Sequence, residues 1–194
     1  RSRWLSMGPV TEEFEAAFAR YLGVKHAFAV SNGTAALHIA HAVLGIGNGD
    51  EVITPSLTFV ATANSVLYCG AKPVFADITG PGDLNVSWED VAAKVTEKTR
   101  AITVVHYGGY ACDMRPIMEI ARDHGLRVVE DTAHAVGAMY GEQKCGAIGD
   151  IGCFSFFANK NLSTGEGGMI VTDDDTLAEK IRTMRSHGMT TLTW

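Results

Sequence analysis

Ala27-Phe-Ala-Val-Ser-Asn-Gly-Thr-Ala-Ala-Leu-His-Ile-Ala-His-Ala-Val-Leu44 changes its period once, at the polar turn Ser31-Asn32-Gly33-Thr34. Ala27 to Val30 is a short apolar run suited to a strand. From Thr34 to Leu44 the apolar residues fall at helical spacing. The same alternation recurs in both directions along the chain. Strand patterns are expected at Glu51–Thr54, Pro73–Ala76, Ala101–Val105, Leu126–Glu130, Gly152–Phe156 and Met169–Thr172. Helical patterns are expected at Thr11–Tyr21, Phe59–Cys69, Trp88–Lys94, Pro116–His124 and Thr176–Arg185. Most of the strands are apolar throughout, as strands buried on both faces are. Strand and helix in regular alternation imply an α/β fold, a parallel or mixed sheet with helices on both faces.

At 194 residues the chain is long enough for one large domain. With 46% hydrophobic and 20% charged residues it has the composition of a globular protein, not of a disordered one. Sixteen Lys and Arg against 22 Asp and Glu give a net charge of −6, and the cations are scattered singly. No basic face is available to neutralise phosphates along a nucleic acid. The most apolar stretch, Ala27 to Gly47, is interrupted by Ser31, Asn32, His38 and His41, so no membrane span is expected. Cys69, Cys112, Cys145 and Cys153 form no C-x-x-C pair and are too sparse for a disulfide scaffold, which suggests reduced thiols and a cytoplasmic setting. No metal site is indicated. The chain begins at Arg1 without a signal segment and reads as a fragment or processed product. Asp77 to Val86, with Gly80, Pro81 and Gly82, is expected to be a surface turn.

In an open α/β sheet, ligands bind beyond the carboxyl ends of the strands. Gly33, Thr34 and Ala35 open a helix there, and free amides at a helix start suit a phosphate. They would serve equally as a plain strand-to-helix turn with Thr34 as its cap. Neither a Walker loop nor a G-x-G-x-x-G fingerprint occurs. Asp131 follows the apolar Leu126–Val129 run and would be held in a partly dry site, where a carboxylate needs a cationic partner. A protonated pyridine nitrogen is one such partner, and the pairing keeps a pyridoxal ring electron-withdrawing; a helix N-cap is the simpler role. His134, one turn on, could reach a ring hydroxyl or be an ordinary core histidine. Lys160 lies beyond an apolar strand end, where desolvation would favour the free amine and Schiff-base chemistry; out of that context a lysine is a surface ammonium.

Taken in order, the helix start, the later aromatic Phe59, Asp131-x-x-His134 and Ser155-x-x-x-x-Lys160 form one pattern. Together with Trp4 to Pro9, Ser31 to Leu37, Gly49 to Pro55, Val105 to Gly108 and Phe154 to Gly168, they make the chain resemble the DegT/DnrJ/EryC1/StrS family of sugar aminotransferases over nearly its whole length. The resemblance implies the large domain of a fold-type I transferase dependent on pyridoxal 5′-phosphate, with a mostly parallel sheet of about seven strands. It implies that Lys160 carries the cofactor, that Asp131 pairs with the pyridine nitrogen and that His134 sits near the ring hydroxyl. Gly33, Thr34, Ala35 and Ser155 would hold the phosphate, and Phe59 would stack on the ring.

The implied reaction moves an amino group from an amino acid, glutamate being the expected donor, to a keto sugar linked to a nucleotide. A homodimer is implied as well. Relatives run to roughly twice this length with a small C-terminal domain, so residues 1–194 are expected to form the large domain alone. Some members replace the lysine by histidine and dehydrate their substrates; Lys160 argues against that branch. A non-catalytic regulatory fragment is the alternative from a different class. Another fold-type I enzyme, such as a cysteine desulfurase, is a third, against which the Phe154 to Gly168 motif argues.

Overall fold

In a computed structural model, residues 7–189 are described. Part of the Trp4 to Pro9 motif and the final residue Trp194 lie outside them. The helices are α1 Pro9–Leu22, α2 Gly33–Val43, α3 Ala61–Tyr68, α4 Trp88–Ala93, α5 Met114–His124 and α6 Asp175–Met184. The strands are β1 His26–Val30, β2 Glu51–Pro55, β3 Lys72–Ala76, β4 Ile78–Gly80, β5 Asp83–Val86, β6 Thr99–Val105, β7 Arg127–Asp131, β8 Met139–Tyr140, β9 Gln143–Lys144, β10 Ile151–Ser155 and β11 Gly168–Thr172.

Seven strands form the main sheet in the order β1-β11-β10-β7-β6-β2-β3. Neighbours from β10 through β3 are parallel, and β11 runs antiparallel to both β1 and β10. The reversal follows from the connection. A parallel return needs a crossover, usually a helix, and the segment from Phe156 to Gly167 between β10 and β11 contains none.

Both faces are covered. Val129, Cys153 and Ile170 pack on one side with Ala36, Leu37 and Ala40 of α2 and Leu177 and Ile181 of α6. Their strand neighbours point the other way, as the two-residue period requires. Val128, Ile102 and Val104 meet Ile117 and Ala121 of α5, while Phe154, Met169 and Val171 meet Phe18 and Leu22 of α1.

Two elements depart from the sequence expectation. The stretch expected as a surface turn at Asp77 to Val86 folds as the hairpin β4-β5, with Asn85 and Val86 buried. The side chain of Asn85 donates to the Ala111 carbonyl and accepts from the Tyr107 amide, tying the hairpin to the turn after β6. A second hairpin, β8-β9, had no expectation. Among the described residues no helix is long and apolar enough to cross a membrane.

His41 on α2 is fully buried, its Nε2 facing Thr103 Oγ1 at 2.9 Å and its Nδ1 without a partner. Burial, reinforced by nearby His38, pushes its pKa down to about 4. Above the unfolded value of about 6.5 the ring is neutral in both states. Between there and about 4 only the unfolded chain takes up the proton, so stability falls with pH by roughly 3 kcal/mol in total from this group. Denaturant titrations from pH 7 to 4 should show that loss, and His41→Gln should flatten the slope. An unchanged slope in the variant would show that other groups cause the acid sensitivity.

Candidate active site

A cavity of about 560 Å³ opens beyond the carboxyl ends of β1, β2, β6, β7 and β10. Its walls come from the segments that follow those strands, because parallel strands deliver their exits to one rim.

After β1, the Asn32 side chain caps α2 by accepting the Ala35 amide at 2.8 Å. Asn32, not Thr34, is therefore the cap. Gly33 and Thr34 line the cavity, and their amides belong to the first turn, which lacks carbonyl partners within the helix. Ala35 is not on the wall, and its amide is already engaged. Gly33 lies so close to β10 that an added Cβ would sit 2.9 Å from the Cβ of Ser155, so the helix start and the Ser155 hydroxyl form one polar corner.

At the end of β7, adjacent carboxylates go to opposite faces of the sheet. Glu130 is fully buried and satisfied by the protein itself: it accepts the amides of Gly146, Ile148 and Gly149 at 2.7 Å each and meets His106 Nε2 at 2.9 Å. The Cys112 amide donates to His106 Nδ1, which leaves the proton on Nε2, directed at Glu130. The turn that wraps Glu130 packs so tightly that a Cβ on Gly152 would fall 2.0 Å from the Gly146 carbonyl oxygen.

Asp131 faces the cavity. It accepts Thr62 Oγ1 at 2.8 Å and the Ala133 amide at 3.2 Å, and among the described residues no salt bridge reaches it. Burial raises its pKa, opposed by the Thr62 and Ala133 hydrogen bonds and by the fields of His134 and Lys160.

His134 also lines the cavity, and its Nδ1 is buried without a hydrogen-bond partner. Tyr107 packs edge-on against its ring at 6.1 Å. Burial and the charge of Lys160 lower its pKa, with Asp131 opposing, so at neutral pH the imidazole is uncharged. Lys160 is half-buried on the same wall and makes no salt bridge among the described residues. Phe59 is 69% exposed, lies just before α3 and lines the cavity.

Seven of the eight site residues expected from sequence thus share one cavity, Ala35 being the exception. Sequence reasoning missed Thr62, Thr58 and Tyr107. Thr62 falls one helical turn after Phe59, and that spacing was the available signal.

The arrangement fits a flat, phosphorylated, nitrogen-containing ring. The corner at Gly33, Thr34 and Ser155 has amide and hydroxyl donors for a phosphate. The unpartnered His134 Nδ1 offers a hydrogen bond, and the buried Asp131 carboxylate calls for a cation.

Over residues 1–194 the sequence matches the profile of the DegT/DnrJ/EryC1/StrS aminotransferase family. The chain belongs to that family. It is therefore placed among pyridoxal 5′-phosphate-dependent enzymes, in agreement with the donor set of the cavity. It is 55% identical over 187 residues to GDP-perosamine synthase of Caulobacter vibrioides, which is 96% of this chain and 50% of that protein. The structure of DesV from S. venezuelae in complex with a ketimine intermediate superposes with a TM-score of 0.93 at 41% identity, covering 96% of this chain and 50% of that one. DesI in the presence of its TDP-sugar product gives 0.89 at 40% identity, covering 95% and 46%. The chain spans about half the length of the curated relatives it matches.

Gly33→Ala would push a methyl group into Ser155 and spread the polar corner. Its affinity for pyridoxal 5′-phosphate, measured by equilibrium dialysis, should fall roughly tenfold or more, the scale of one lost charged hydrogen bond. Unchanged affinity would place the phosphate elsewhere.

Proposed function

We propose that the protein is an aminotransferase that moves an amino group from an amino acid, glutamate being the expected donor, to a nucleotide-linked keto sugar. In this reading residues 1–194 form the cofactor-binding large domain. The observation that carries it is a buried carboxylate, Asp131, with no salt bridge among the described residues, facing the same cavity as Lys160. Two relatives, a GDP-perosamine synthase and DesI with its TDP-sugar product, act on sugar nucleotides and support the substrate class.

Bound pyridoxal 5′-phosphate supplies an electron sink for charge that develops at the donor's α-carbon. The chain's residues do the rest. Lys160 Nζ would hold the cofactor aldehyde until the donor's amine displaces it, and the freed Lys160 amine would then serve as the base that takes the α-proton. Asp131 keeps the pyridine nitrogen protonated, and neutral His134 directs a hydrogen bond at the ring hydroxyl. Gly33, Thr34 and Ser155 bind the phosphate, while the Ala35 amide is spent on the Asn32 cap. Phe59 covers the ring.

Phe59, Val60, Tyr110 and Phe157 are exposed apolar residues, and Phe59 and Phe157 also line the cavity. Exposed apolar side chains at the lining of a cavity, as Phe59 and Phe157 are, suit a protein interface. They support a homodimer whose second subunit closes the site.

Borohydride reduction of the cofactor-loaded protein, followed by peptide mapping, should place the pyridoxyl group on Lys160. Labelling of another lysine, or none in cofactor-saturated protein, would overturn the assignment and favour a non-catalytic fragment. Asp131→Asn should retain the cofactor yet slow amino transfer by roughly 100-fold or more, the scale of losing a preorganised electrostatic partner. Equal half-reaction rates would remove Asp131 from the mechanism.

A further inference from the structure

Thr62 is fully buried at the start of α3, and its Oγ1 donates to Asp131 Oδ2 at 2.8 Å. Behind it, Thr58 Oγ1 lies 2.7 Å from Thr62 Oγ1. An ionised carboxylate can only accept, and a threonine hydroxyl has one proton to give. The proton of Thr62 is therefore committed to Asp131, and Thr58 must supply its own to Thr62. The two hydroxyls form a directed chain from Thr58 through Thr62 to Asp131.

We infer that Thr62, backed by Thr58, is a positioning residue that holds the Asp131 carboxylate in its ionised form and fixes its orientation toward the pyridine nitrogen of the cofactor. The inference rests on the reading of Asp131 given above and adds a group that acts only through it. A hydrogen bond to the charged form of a buried acid favours that form. Among the described residues the groups that act on or adjoin Asp131 are Thr62 from α3, the Ala133 amide, His134 and Lys160 of the cavity lining, and Cys153 beside it on β10. Burial works against the charge, and Thr62 heads the interactions that oppose it.

Losing that donor leaves the Ala133 amide as the one hydrogen bond to the carboxylate among the described residues. The carboxylate is then free to turn, and as a stronger base it draws the ring proton toward itself, which weakens the electron sink. The Thr62 amide also donates to the Phe59 carbonyl at 3.1 Å, so the segment that brings the covering aromatic to one side of the site sets the hydroxyl as well.

Thr62→Val removes the hydroxyl at nearly constant volume. In the holoenzyme, single-turnover reaction with the amino donor should slow roughly 10- to 100-fold with little change in donor KM, matching one lost hydrogen bond to a charged group. The visible absorption of the bound cofactor should shift with it. Thr62→Ser restores the donor and should recover most of the rate and the parent spectrum, while Thr58→Val should fall between the two. Parent-like rates in Thr62→Val, or equal losses in the Val and Ser variants, would overturn the inference, since the second result reports packing of the methyl group. If Thr62→Val does not fold, Thr58→Val decides: a slowed rate with a shifted spectrum supports the relay, and parent behaviour overturns it. Asp131→Asn run in parallel separates the two levels. If it is slow while Thr62→Val is parent-like, the relay alone fails; if both are parent-like, the reading of Asp131 fails too.

Discussion

Two carboxylates end β7, and the protein treats them in opposite ways. Glu130 is surrounded by three backbone amides and His106, so four hydrogen bonds satisfy its carboxylate inside the fold. Asp131, one residue later and on the other face, has a hydroxyl and one amide. A buried carboxylate left without a cation costs several kcal/mol or is driven toward its neutral form. The raised pKa of Asp131 expresses that tension. Glu130 locks the strand end and its glycine-rich turn in place, so Asp131 cannot relieve the tension by moving. A positively charged ring nitrogen relieves it, and the surrounding groups have the positions that such a ring requires.

The sheet topology converts this local demand into a site. Because β2, β6, β7 and β10 run parallel, their exits gather at one rim, and each contributes a different function: the aromatic Phe59, Tyr107 against His134, Asp131, and then Ser155 and Lys160. Helix α2 completes the rim from β1. The close approach of Gly33 to Ser155 brings a helix start and a strand end together where a phosphate would find both amides and a hydroxyl. The reversed β11 carries the chain away from the rim after the Gly-rich segment that follows Lys160.

Much of this was legible in the sequence. Seven apolar runs became the seven strands of the main sheet, because a strand buried on both faces leaves an uninterrupted apolar signature. Lys160, Asp131 and Ser155 stood out as polar residues at the ends of such runs. What stayed hidden depended on distant partners. Thr62 sits between two alanines, and its role arises from a residue 69 positions away. Glu130 carried no role in the sequence, because the amides that satisfy it come from the 146–149 turn. Sequence reading places the cap at Thr34, and backbone geometry gives it instead to Asn32, a residue type that caps equally well. The β4-β5 hairpin was masked by its glycines and proline, and its burial comes from Asn85 reaching the turn after β6.

The protonation state of the cofactor ring bears most directly on whether Asp131 organises the site. Protein loaded with pyridoxal 5′-phosphate labelled with ¹⁵N in the ring can be followed by NMR from about pH 6 to 9. A nitrogen that remains protonated across that range, at a shift set by a close carboxylate, is the expected result. An unprotonated nitrogen at neutral pH with Asp131 intact would contradict the pairing on which the account rests.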